Sequence, residues 1–202
     1  TILQAYKTKN MKKFLVPLII LGAIAVWAFS AYNGLVKQDE NVTNAWAKVQ
    51  SAYQERADLV NNLVATVKGA ASHERETLEA VIKARAEATS TKIDASNLTP
   101  ENMAKFQQAQ SGLSGALSKL MVVVERYPDL KANQNFLELQ SQLEGIENRV
   151  RVERNRFNDE VTIYNTKVRS FPMNMLAGMF GFEKKSKFAA DEASQKAPKV
   201  EF

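Results

Sequence analysis

Val42–Val67 reads VTNAWAKVQSAYQERADLVNNLVATV. A seam of Val42, Trp46, Val49, Tyr53, Arg56, Val60, Leu63 and Val67 runs through it, apolar or aromatic at every position except Arg56. The steps alternate between four and three residues, the spacing that returns side chains to one face of an α-helix. The stretch therefore predicts a long amphipathic helix, and Gly69 is the expected break at its end.

Toward the C-terminus the same periodicity recurs. Ser72 is the expected cap of a second helix, with Leu78, Val81, Ile82 and Arg85 on one face. After a loop at 92–99, Thr99-Pro100-Glu101 supplies a capping hydroxyl, a proline at the first helical position and an acid in the first turn. The third helix presents Phe106, Ala109, Leu113, Leu117, Leu120, Val124 and Tyr127. A turn at Tyr127-Pro128-Asp129-Leu130 leads into the fourth and longest helix. Its seam is Phe136, Leu139, Leu143, Ile146, Val150, Phe157, Val161, Tyr164, Val168 and Phe171, and Pro172 ends it. No period-two strand pattern occurs. Four amphipathic helices with short connections predict an all-α, antiparallel, up-and-down four-helix bundle over residues 33–171.

Toward the N-terminus the helix pattern continues into Phe14–Tyr32, FLVPLIILGAIAVWAFSAY, which carries no charge. A helix of this length reaches about 28 Å, the thickness of a hydrocarbon core. Trp27 and Tyr32 sit where amphipathic rings anchor at the interface. Ala28-Phe29-Ser30 has the small residues of a signal cleavage site, but the apolar run is longer than a signal sequence needs, so an uncleaved signal-anchor is the reading. Met11-Lys12-Lys13 resembles a natural start, and residues 1–10 read as an upstream extension.

The net charge of +5 follows the same division. Lys7, Lys9, Lys12 and Lys13 precede the apolar run with no acid among them, while residues 14–182 hold 18 basic and 18 acidic groups. The excess is an orientation signal, with Lys12 and Lys13 its core: it predicts a cytoplasmic N-terminus and the bulk of the chain outside. It does not predict nucleic-acid binding. Glu147–Arg156, ENRVRVERNR, has four arginines, yet the interleaved Glu147 and Glu153 make it a solvated, ion-paired helix face.

Chemistry is sparse. The absence of Cys excludes disulfides and thiolates, and a single His excludes multi-His metal sites. His73 has no visible partner for general-base work, so neither an enzyme nor a cofactor is expected. Arg56 in an apolar seam demands a buried acid, with Glu147 the expected partner and Arg85 a further member. Asn158 and Asn165, seven residues apart, share a helix face and suit hydrogen bonds that set register or oligomer state. These five residues are read as a structural polar network. The apolar segment 172–185, with Met175, Leu176, Met179, Phe180 and Phe182, is too short to span a bilayer. It is read as a bundle cap, a subunit contact or a membrane-surface contact. Residues 186–202 read as a disordered tail.

Several ungapped blocks resemble the LemA family of bacterial membrane proteins. They are YNGLVKQDENVTNAWAKVQSAYQERADLVNNLV at Tyr32–Val64, VKGAASHERETLEAVIKARA at Val67–Ala86, ERYPDLKANQNFLELQSQLEGIENRV at Glu125–Val150, RNRFNDEVTIYN at Arg154–Asn165 and FPMNMLAGMFGF at Phe171–Phe182. The resemblance implies a bromodomain-like four-helix bundle on a single bacterial inner-membrane span, and no particular reaction. It also implies an outside N-terminus, opposite to the charge reading, which is kept. Asn61 stands where the family typically has Pro, which puts a kink there in doubt. The function expected is a non-enzymatic membrane protein whose helical domain self-associates or scaffolds other membrane proteins. A membrane-anchored adaptor or regulator of a membrane protease or envelope-stress system is the alternative, and an enzyme using Arg56 the third.

Overall fold

A computed structural model describes the backbone of residues 2–189 and the side chains of residues 15–189. Lys12 and Lys13 lie outside the described side chains, and residues 190–202 of the expected tail lie outside the described chain. Six α-helices follow in order: α1 Ile2–Ala70, α2 Arg75–Ser90, α3 Pro100–Val124, α4 Pro128–Lys131, α5 Gln134–Arg169 and α6 Met173–Phe180. A 3₁₀ turn lies at Ala95–Asn97, and no strand occurs among the described residues.

The chain divides into two compact units. One holds the described chain up to Glu40 together with Ile163–Lys184; the other holds Asn41–Thr162 and the described chain from Lys185. The divisions therefore fall within α1 and α5 and not at the ends of the apolar run.

In the larger unit all eight seam residues from Val42 to Val67 are buried. One hydrophobic cluster draws Val60, Leu63 and Val67 from α1, Leu78 and Val81 from α2, Leu113, Leu117 and Leu120 from α3, and Phe136 and Leu143 from α5. Leu130 on the one-turn helix α4 closes it. Burial of such a cluster, at about 25 cal/mol per Å² of apolar surface, is the main force holding these helices together. The Thr99 hydroxyl accepts from the Asn102 N–H at 3.3 Å, capping α3 at the motif that predicted it.

α1 ends at Ala70, one residue past the break expected at Gly69, and it passes Asn61 without a break. Two local expectations are corrected. Ser72 does not cap α2. Glu74 stands at the cap position without a side-chain cap bond, because its carboxylate accepts from the Tyr127 hydroxyl at 3.0 Å and pairs with Arg126 at 3.3 Å. That bond to Glu74 holds the Tyr127 phenol above its ordinary pKa. Ile82 is exposed, since the buried stripe of α2 is the narrow one of Leu78, Val81 and Ala88.

In the smaller unit, Leu15–Phe29 of α1 is almost bare: Leu18, Leu21, Val26 and Phe29 are all exposed. α1 is the one described helix long and apolar enough to cross a membrane. A core helix of a soluble protein would be covered, and this one is not. From the end of the apolar run onward, Ala31 and Leu35 of α1, Tyr164 and Val168 of α5, and Ala177 of α6 are buried. The Lys167 ammonium donates to the Gly34 carbonyl at 2.7 Å. A Cβ on Gly34 would come within 2.8 Å of that ammonium, so the close approach uses glycine's missing side chain. Phe171, expected on the α5 seam, is 82% exposed: α5 stops at Arg169, and two residues later the chain no longer follows its register.

Candidate functional site

The seam of α1 carries Arg56 into the interior of the larger unit, where it is 2% exposed. A guanidinium stays protonated and offers five donors, so its surroundings must supply acceptors. α3 and α5 supply them. Nη1 donates to Ser114 Oγ at 3.1 Å and to Glu147 Oε1 at 3.0 Å. Nη2 donates to Gln110 Oε1 at 2.5 Å and to the Gln110 carbonyl at 3.3 Å. The Tyr53 ring, one turn away on α1, lies 5.0 Å from the guanidinium carbon. Gln110, itself buried, donates onward to the Ala88 carbonyl at 3.1 Å. Arg56 thus ties α1 to α3 and α5, and Gln110 extends the tie to α2. Arg56 Nε is buried without a hydrogen-bond partner, as is Glu153 Oε2 on α5.

A cleft of about 260 Å³ opens beside this network, lined by residues including Tyr53, Arg56, Gln107, Ser114, Glu147 and Arg154. Glu147 is 43% exposed there, so its pairing with Arg56 is partly screened by solvent. The arrangement holds a permanent cation and hydrogen-bond acceptors. It has no nucleophile paired with a base: the Ser114 hydroxyl donates back to the Gln110 carbonyl at 3.3 Å. His73 is exposed in the turn between α1 and α2. Among the described residues no group of three or more His, Cys, Asp or Glu is placed to hold a metal ion.

The five residues expected to form one network are dispersed. Arg56 and Glu147 come together. Arg85 instead donates from Nε to the Ala57 carbonyl at 2.8 Å and lies 3.9 Å from Asp58, binding α2 to the two residues of α1 that follow Arg56. Asn158 bonds no other helix. It accepts from the Phe188 N–H at 2.9 Å and donates to the Phe188 carbonyl at 3.3 Å, gripping the chain after α6. Asn165 is half-buried in the smaller unit. The four arginines of Glu147–Arg156 are engaged within the chain: Arg149 with Glu55, Arg151 with Asn148, Arg156 with Glu153, and Arg154 stacked 4.7 Å from the Phe188 ring centroid.

Residues 186–189 are not a tail. Phe188 is buried against Trp46, Phe106 and Phe157, with ring centroids 5.5–6.3 Å apart. The Ser186 N–H bonds the Leu98 carbonyl and the Lys185 ammonium bonds that of Ala95. A polar, lysine-rich context hid an aromatic anchor. Gln110 is a buried polar residue that the sequence did not flag, and Glu153, expected on a solvated face, is buried as well. Gln110 completes a three-four alternation with Phe106 and Leu113, and Glu153 fills the gap between Val150 and Phe157 on α5. In both cases a polar side chain at a seam position was the available signal.

Tyr32 and Trp27 stand in the smaller unit, Trp27 exposed and Tyr32 half-buried. The Tyr32 ring meets Phe180 and Phe182 edge-on, with centroids 4.8 and 5.9 Å away. Met175, Met179 and Phe180 of α6 are exposed and Leu176 is half-buried.

Comparison with known proteins finds related bacterial sequences. Magnetosome protein MamQ 1 of Paramagnetospirillum magneticum is 31% identical over 80 residues, 40% of this chain and 29% of that protein. Magnetosome protein MamQ of Magnetospirillum gryphiswaldense is 30% identical over 76 residues, 38% of this chain and 28% of that protein. The matched stretch thus spans less than a third of the length of these relatives. Protein LemA of Metamycoplasma hominis is 23% identical over 186 residues, 91% of this chain and 81% of that protein. The model described as the LemA family matches residues 45–202, from the seam of α1 onward, and the chain therefore belongs to the LemA family.

Proposed function

We propose that this protein is a single-span protein of the bacterial inner membrane that acts as a helical scaffold near the bilayer and self-associates there, without catalysing a reaction. The observation that carries the reading is the contrast within α1. Its apolar run is bare, while the seam that follows is buried and its one charged member is consumed by structural bonds. A bare span suits lipid, and an interior tied up in packing leaves association as the work of the surface.

In this reading α1, α2, α3 and α5 form an antiparallel, up-and-down, bromodomain-like bundle. The cluster to which all four contribute supports that arrangement. Large apolar side chains left uncovered on three of them, Ile82, Val122 and Leu137, support contact with further copies or with other membrane proteins. The four lysines ahead of the span support a cytoplasmic N-terminus. Particle mass in mild detergent tests the proposal: a defined oligomer or a stoichiometric membrane-protein complex is expected. A strict monomer with no co-purifying protein refutes it. A C-terminal reporter that is active only after export tests the orientation.

A further inference from the structure

Ser170–Phe182 is a run of 13 residues without a charge, flanked by the exposed Arg169 and by Glu183 and Lys184. Its eight-residue helix α6 extends about 12 Å, far short of a bilayer. Ala177 faces inward and is buried, whereas Met175 is 63% and Met179 77% exposed. Phe180 and the preceding Phe171 are exposed as well. An apolar face of this kind requires an occupant.

Its position identifies one. Phe180 and Phe182 pack on Tyr32, the last aromatic of the uncharged span, and Lys167 ties the end of α5 to Gly34 two residues further on. The first charge after the span is Lys37, about 7.5 Å along the helix axis from Tyr32. α6 is therefore pinned at the level where the apolar span gives way to charge. A second copy of the chain is the weaker occupant. The four exposed side chains offer roughly 500 Å², against about 800 Å² for each partner of a stable complex.

We propose that α6 is an interfacial membrane helix, lying in the headgroup–acyl boundary beside the emerging span with Phe171, Met175, Met179 and Phe180 in the lipid. Arg169 and Lys184 at its two ends face the headgroups. The inference rests on the reading of Phe14–Tyr32 as a membrane span, so its test must separate the two.

The chain has no cysteine, so single labels are straightforward. The full chain is reconstituted as M175C, M179C, I24C and S118C variants, each carrying an environment-sensitive fluorophore. The vesicles are phosphatidylethanolamine and phosphatidylglycerol, doped with lipids bearing a nitroxide near the headgroup or near the chain end. The labels at positions 175 and 179 should be quenched most by the shallow nitroxide, at a depth of roughly 5–10 Å. The label at 24 should respond most to the deep nitroxide, and that at 118 to neither. Deep quenching at 24 without lipid quenching at 175 and 179 overturns the interfacial helix and leaves the span intact. If the latter two labels then show excimer emission between copies, the face is a subunit contact. Absence of quenching at 24 overturns the span and the inference together.

Discussion

Replacing Arg56 tests whether the buried network is structural, and its hydrogen bonds rank the outcomes. Arg56→Met removes the charge with its desolvation cost, but leaves Gln110 Oε1 buried without a donor. One orphaned buried acceptor costs about 1–3 kcal/mol. Ser114 keeps its bond to the Gln110 carbonyl, and the half-exposed Glu147 regains water, so neither adds much. Gln110→Leu strands one Nη2 donor of a buried cation, the other keeping the main-chain carbonyl of residue 110, and should cost more, about 3 kcal/mol. In the double variant neither partner remains to be orphaned, so it should cost about 1.5–3 kcal/mol less than the sum of the singles. Glu147→Ala should cost about 1 kcal/mol or less, because a 43% exposed carboxylate contributes as surface pairs do. The assay is urea unfolding in mild detergent, followed by fluorescence of the buried Trp46 in a Trp27→Phe background. Additivity of the two singles within about 0.5 kcal/mol, or a Glu147 variant more damaging than the Gln110 variant, would refute the reasoning. A folded Arg56→Met protein that lost a measurable turnover would show that the position serves chemistry.

The same unfolding assay should show Phe188→Ala losing about 3–4 kcal/mol, the usual cost of emptying a buried aromatic site. An unchanged midpoint would mean that residues 185–189 add nothing to the core. Thr99→Ala should lose about 0.5–1 kcal/mol by uncapping α3, with amide exchange quickening in its first turn. Tyr164, pushed up to about 12 by burial and by the nearby Asp39 and Glu183 charges, should ionise well above the ordinary tyrosine value in an absorbance titration that compares the chain with its Tyr164→Phe variant. Its neutral form is favoured by folding, so that stability is complete below pH 10.0, the ordinary value, and is lost as pH rises through about 12. Tyr164→Phe should flatten stability over that window.

Much of the fold was legible because helices are written locally. The seam from Val42 to Val67 recurs on the helical period, and all of it is buried. Thr99-Pro100 announced the start of α3 because capping involves only the next few residues. The Arg56 site was half legible: a charge in an apolar seam signals a partner, and acids on the fourth predicted helix, α5, were candidates, although α1 and not α5 proves the longest helix. Arg85 and Asn158 were misassigned because their partners, the Ala57 carbonyl and the Phe188 backbone, are main-chain groups that any sequence supplies.

By itself the sequence determined the helices, the uncharged span, the excess of positive charge ahead of it and the family, all properties of neighbouring residues or of ordered blocks. Only the tertiary structure decided that Gln110 shares the guanidinium of Arg56, that Phe188 returns to the core and that α6 docks on Tyr32. The physical reason is the same in each case. Periodicity says which face of a helix is apolar, whereas the partner of that face is set by packing between residues up to about 150 positions apart, where no local pattern reaches.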